Sequence, residues 1–173
     1  PDDDQVWRAV YICSAARCGS TVTDMFLGGH SRAASLGETN FLGKEIALNQ
    51  ACACGVAVKD CGHWSRVFDE LVMLTGLDIR ARPYAFHLWD ALAWNGIDTR
   101  RQTPAFRLAV YLRKTWLELR RRSGNRLPLL SSQVLGLRNK IMLYEAVAQQ
   151  WGKQVVIDSS KNAHEAVELN RLM

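Results

Sequence analysis

The residues best suited to chemistry lie near the start of the chain, in Ser14-Ala15-Ala16-Arg17-Cys18-Gly19-Ser20-Thr21. The stretch follows an apolar run, Val6 to Cys13, and leads into a segment of helical character. A strand, a small-residue turn and a helix start turn several backbone N–H groups toward one point, a layout that grips phosphate or sulfate. Arg17 adds a cation, and Ser20 and Thr21 add hydroxyls. The turn departs from the nucleoside-triphosphatase form, which needs two spaced glycines followed by Lys and Ser or Thr. Here Gly19 directly precedes Ser20-Thr21, the cation stands ahead of that glycine, and no residue pair is marked out to hold magnesium. The loop suits one compact anion better than a metal-bound triphosphate, and points to a phosphorylated or sulfated nucleotide.

A second group is Cys52-Ala53-Cys54-Gly55 with Cys61-Gly62-His63. Three thiols and an imidazole this close together can ligate zinc tetrahedrally, although the spacing is not a common zinc-finger pattern. A disulfide and free buried thiols are the other two readings. The five cysteines are an odd number and no secretory leader is visible, so mostly reduced thiols and a cytoplasmic location are expected.

These groups need a scaffold. Val6 to Cys13 is β-branched and aromatic and reads as a buried strand. Gly19 to Gly28 reads as a helix, Ala33 to Leu36 as a second short strand, and Asn40 to Gln50 as a helix. Trp64, Val67, Phe68, Leu71, Val72 and Leu74 recur at helical spacing, with Gly76 as a stop. Tyr84 to Trp94 is aromatic and is expected to be helical. Its aromatics and His87, with Trp116, are either an acceptor pocket or core, and stripes of this kind are more often core. Thr103-Pro104 opens a helix that ends near Gly124, and Ser132 is expected to cap another that Gly152 ends. Gln154 to Asp158 is a further buried strand. Ser159-Ser160-Lys161-Asn162 makes a polar turn before a last helix. Strands alternating with helices imply an α/β layered fold with a parallel sheet, where ligands gather at the carboxyl ends of strands.

The chain of 173 residues is 48% hydrophobic and 23% charged, as befits one globular domain over 1–173. No apolar run approaches the roughly 20 residues of a membrane span. The formal charge of +5 fits an anionic ligand. Much of the excess sits in Arg100 to Arg126, where Arg120-Arg121-Arg122 reads as the solvated end of a helix.

Arg17-Cys18-Gly19-Ser20-Thr21, then His30, Gly37-Glu38-Thr39 and Asp158-Ser159-Ser160-Lys161 together resemble the sulfotransferases that use 3'-phosphoadenosine 5'-phosphosulfate (PAPS), notably bacterial and tyrosylprotein members. The resemblance covers about the first 50 and last 20 residues, by motif spacing. It implies the P-loop NTPase-like sulfotransferase fold, a parallel sheet flanked by helices, with a helical insert at about 64–151. It further implies that Arg17, Gly19, Ser20 and Thr21 hold the 5'-phosphosulfate, with Cys18 where the family usually has Ser. Glu38 falls at the catalytic base and Lys161 at the cation beside the bridging oxygen. Ser159 and Ser160 either orient Lys161, bind phosphate or cap the last helix. The reaction would move a sulfuryl group to a hydroxyl or amine and release adenosine 3',5'-bisphosphate, without a metal. The family's grip on the 3'-phosphate follows the Lys161 region and is not found before Met173, so the complete protein is expected to be longer.

The acceptor, a small molecule, carbohydrate, lipid or protein tyrosine, is not legible in the sequence. A P-loop kinase or nucleotide-binding protein is the first alternative, and it lacks a Lys after Gly19. The second is a non-catalytic module that uses the Arg100–Arg126 block to bind nucleic acid, against the main expectation of no nucleic-acid partner.

Overall fold

The computed structural model describes residues 7–15, 17–88, 104–124 and 126–173. Three parallel strands form the sheet: β1 Arg8–Tyr11, β2 Ala33–Ser35 and β3 Val155–Asp158, in the order β1-β3-β2. β3 is central because Val155-Val156-Ile157 can be buried on both faces, as parallel sheets require. The register pairs Tyr11 with Asp158 and Ser35 with Ile157. Single bonds extend the ladder: Ile12 N–H donates to the Asp158 carbonyl (2.8 Å), Leu36 N–H to Ile157 (2.9 Å) and Ser159 N–H to Gly37 (2.8 Å). All three strands therefore run out at one edge, and their following loops start side by side.

The helices are α1 Ser20–Gly28, α2 Leu42–Ala47, α3 Gly62–Thr75, α4 Pro104–Arg122, α5 Ser131–Trp151 and α6 Ala163–Leu172. A single 3-10 turn, Thr39–Phe41, leads into α2. Neighbouring residues of a strand point to opposite faces. Asp158 bonds to Tyr144 of α5 while Ser159, next in sequence, bonds to Asp24 of α1, so α1 and α5 lie on opposite faces. The fold is thus α/β with helices on both sides of a parallel sheet. α1 approaches β2 closely enough that a Cβ on Gly28 would stand 2.5 Å from the Ser35 Cβ. That contact, besides its place at the helix end, requires glycine.

The core lies on the α5 side. Leu137, Leu143, Tyr144 and Val147 of α5, Val67, Phe68 and Leu71 of α3, and Val156 of β3 are all fully buried. Trp64 stacks on Phe68 at 5.5 Å and meets the edge of Trp151 at 5.3 Å. Two helices of the expected insert thus supply half of the core.

Several local expectations change. Tyr84–Leu88 is turn and irregular backbone rather than helix, and Trp89 and Trp94 lie outside the described residues. Pro83 precedes it, and the Ala85 N–H closes a turn on the Arg82 carbonyl (3.0 Å). Phe86 is buried in the core, Tyr84 is half exposed, and Trp116 is partly buried. α5 begins one residue before Ser132. Leu130 is its N-cap, and Gln133 reaches back to accept from the Leu130 N–H (2.9 Å). Arg120 is not solvated: it is buried and forms a two-pronged ion pair with Glu168 of α6.

Candidate functional site

The three strand-end loops carry the singled-out residues. On the first, Arg17, Cys18 and Gly19 are exposed and Ser20, the first residue of α1, is buried. Gly19 holds φ 86°, a left-handed conformation that glycine adopts without penalty. The N-cap, Gly19, offers α1 no side-chain acceptor of the usual capping kind. The Cys18 thiol is held below its ordinary pKa by the Ser14 hydroxyl and by the N–H groups of Ser20 and Cys18 itself. Donors that favour a thiolate there would favour any anion. Arg17 makes no ion pair among the described residues.

Glu38 and Lys161 meet. The Lys161 ammonium donates directly to the Glu38 carboxylate, joining the loop after β2 to the loop after β3. Both side chains are partly open, 34% for Glu38 and 22% for Lys161, so the pair is reachable by a ligand. Lys161 and Arg17 share a backbone feature: each has φ 63° without being glycine. Non-glycine residues in this region cost on the order of 1 kcal/mol, and such strain concentrates at functional sites.

Ser159 and Ser160 make internal contacts. The Ser159 hydroxyl donates to Asp24 (3.3 Å). The Ser160 hydroxyl lies 3.2 Å from Thr39 Oγ1 and accepts from the Asn40 N–H (3.3 Å). Neither caps α6. Asn162 does, its Oδ1 accepting from the Glu165 N–H (3.3 Å). His30 and His164 are exposed.

Behind the Glu38–Lys161 pair lies a buried polar network. Asp158 Oδ2 accepts from Thr39 Oγ1 (2.5 Å) and the Tyr144 hydroxyl (2.5 Å), and Oδ1 accepts from the Ser160 N–H (2.8 Å). Thr39 adjoins Glu38 and Ser160 adjoins Lys161, so one carboxylate sets the position of both. Lys140 of α5 is fully buried, with Nζ 3.2 Å from Asp158, 2.8 Å from Glu165 and 2.9 Å from Asn40 Oδ1. Tyr11 donates to Glu165 (2.5 Å). Burial alone would raise the Asp158 pKa, but Lys140 and the three hydrogen bonds bring it below the ordinary value. Glu165, dominated by burial, is raised to about 7 despite Lys140. Lys140 escaped sequence reading. The available signal was its spacing: Leu137, Lys140, Tyr144 and Val147 fall on one face of α5, and a lysine among core positions needs partners.

The cysteine loop stands beside this site. Cys52, Cys54 and Cys61 bring their sulfur atoms within 4.8 Å of one another. All five cysteines are unbridged. A cavity of about 900 Å³ runs from this cluster along Ala33–Gly37, with His63, Arg66 and Trp151 in its walls. Among the described residues, no helix is long and apolar enough to cross a membrane. Compared with protein families, with curated proteins and with solved structures, the chain matches none.

Proposed function

We propose that this protein transfers a sulfuryl group from PAPS to a hydroxyl or amine acceptor, with Glu38 as general base. The observation that carries the reading is the contact between Glu38 and Lys161 at the carboxyl edge of adjacent parallel strands. A base and a cation side by side suit a reaction that removes a proton at one point and builds negative charge close by. The uncapped start of α1, with Arg17 exposed beside it, supplies a seat for the phosphosulfate.

In the free protein the Lys161 ammonium neutralises Glu38. A bound donor competes for that ammonium through its bridging oxygen and leaves the carboxylate free to accept a proton. The acceptor oxygen attacks sulfur in line and a new O–S bond forms. The bond from sulfur to the bridging oxygen breaks, and its electron pair leaves on the phosphate of adenosine 3',5'-bisphosphate beside Lys161. The acceptor proton passes to Glu38. Glu38→Gln keeps the shape and removes the base, so transfer of labelled sulfuryl groups to a panel of hydroxyl acceptors should fall by about 10²–10⁴-fold. Binding of adenosine 3',5'-bisphosphate should stay within a few-fold of wild type. Undiminished transfer by that variant would remove Glu38 from the mechanism. A nucleic-acid role draws less support, because Arg120 pairs inward with Glu168 and both Arg121 and Arg122 fold onto Glu118.

A further inference from the structure

We infer that Cys52, Cys54 and Cys61 form a site for one thiophilic divalent cation, zinc by its donor set, with a fourth position open to the neighbouring cavity. This inference is independent of sulfuryl transfer.

Geometry carries it. Cys61 Sγ lies 3.5 Å from Cys54 Sγ and 3.6 Å from Cys52 Sγ. With Zn–S bonds of about 2.3 Å, a tetrahedral site sets its sulfur atoms about 3.8 Å apart. Cys61 is nearly equidistant from two partners, so no single pair is favoured, and a disulfide would leave one thiol out.

The backbone is arranged to hold the three. Ala51 and Ala57 form a bridge, the Cys52 N–H donates to the Val56 carbonyl (2.8 Å), and the Gly55 N–H closes on the Cys52 carbonyl (2.8 Å). Gly55, at φ 84°, makes this reversal possible. Cys61 comes from a different element, as the N-cap of α3. Zinc entry takes three thiols to thiolates, releases three protons and leaves a cluster of charge −1. That charge is met by N–H donors. Those of Trp64 and His63 face the Cys61 sulfur. The Cys54 N–H faces the Cys52 sulfur. The first turn of α3 also presents the positive end of the helix dipole.

Cys61 is buried beneath the site, whereas Cys52 and Cys54 line the cavity. The fourth position therefore opens on the cavity side and takes water. His63 lines the same cavity, but its ring packs against Trp151 at 6.2 Å and lies outside the ligand cluster. A bound ion would pin the Ala51–Cys61 loop to α3 and fix the cavity wall opposite β2.

The test uses the reduced 173-residue chain loaded with one equivalent of zinc, and cobalt(II) as a spectroscopic probe. One metal per chain should survive gel filtration, and cobalt should give a thiolate charge-transfer band with intense tetrahedral visible bands. Cys54→Ser alters an exposed position and so spares the fold. It should weaken metal affinity at least about a hundredfold, more than the loss of a group that merely orients a ligand typically does. Cys13→Ser and His63→Ala should retain the metal. Absence of zinc from the reduced wild-type chain, or equal retention by wild type and Cys54→Ser, would overturn the site. Loss of the metal in His63→Ala would overturn the three-thiol ligand set.

Discussion

Lys161 unites two observations at a single residue: it holds the Glu38 carboxylate and does so from a left-handed backbone. These can be separated. Lys161→Ala and Lys161→Gly both remove the ammonium, but only glycine relieves the backbone. Lys161→Gly should therefore be more stable than Lys161→Ala by about 1 kcal/mol in urea unfolding. Equal stabilities would show that the φ 63° conformation carries no strain. Both variants should lose sulfuryl transfer alike, because the missing ammonium is common to them. Glu38 and Lys161 were legible in the sequence through motif order and spacing. Asp158 was legible as the end of a strand and the start of a motif, but its role was not, because that depends on Thr39, Tyr144 and Ser160 converging on one carboxylate.

Two elements, α5 and α6, are joined to the sheet through charge. Lys140 sits between Asp158 and Glu165, and removing it would leave two buried carboxylates without their cation. Lys140→Met should cost about 3–5 kcal/mol, read by denaturant midpoint. Glu165 gives the network a pH signature. Its folded pKa, about 7, lies above the unfolded value of 4.5, so the folded state holds a proton that the unfolded state releases. Stability then falls as pH rises from about 4.5 to 7, by on the order of 3 kcal/mol from this group. Glu165→Gln should flatten that slope in unfolding measured at several pH values; an unchanged slope would assign it to other groups. The α4–α6 contact offers a paired comparison. Arg120→Ala strands the buried Glu168 carboxylate, leaving it, among the described residues, the partly exposed Arg171, and should cost about 2 kcal/mol or more. Arg121→Ala, on the exposed side of the same helix, should leave stability close to wild type. Helix periodicity located α3, α4 and α5, since each carries a stripe that must be buried. It failed at Tyr84–Leu88, where aromatic spacing imitates a helix but Pro83 and the Asn139 side chain bound to the His87 carbonyl (2.8 Å) hold an irregular path.

For the whole molecule, the order β1-β3-β2 brings three loops from the two ends of the chain to one edge. Local sequence patterns name the strands but do not encode their order, because that depends on which faces α1 and α5 cover. The parallel α/β class was legible from alternating strands and helices. The sharing of the core by α3 and α5 was not, since it rests on contacts between segments far apart in the chain, such as Trp64 with Trp151. In the proposed function this shared edge binds a phosphosulfate nucleotide. That binding is tested most directly by thermal unfolding of the protein with adenosine 3',5'-bisphosphate, and separately with ATP and magnesium. Binding at a hundred times the dissociation constant stabilises the native state by about 2.7 kcal/mol. The melting temperature should rise with adenosine 3',5'-bisphosphate, and Arg17→Ala should abolish that rise. No shift with that nucleotide, together with a clear shift with ATP and magnesium, would contradict the proposed function.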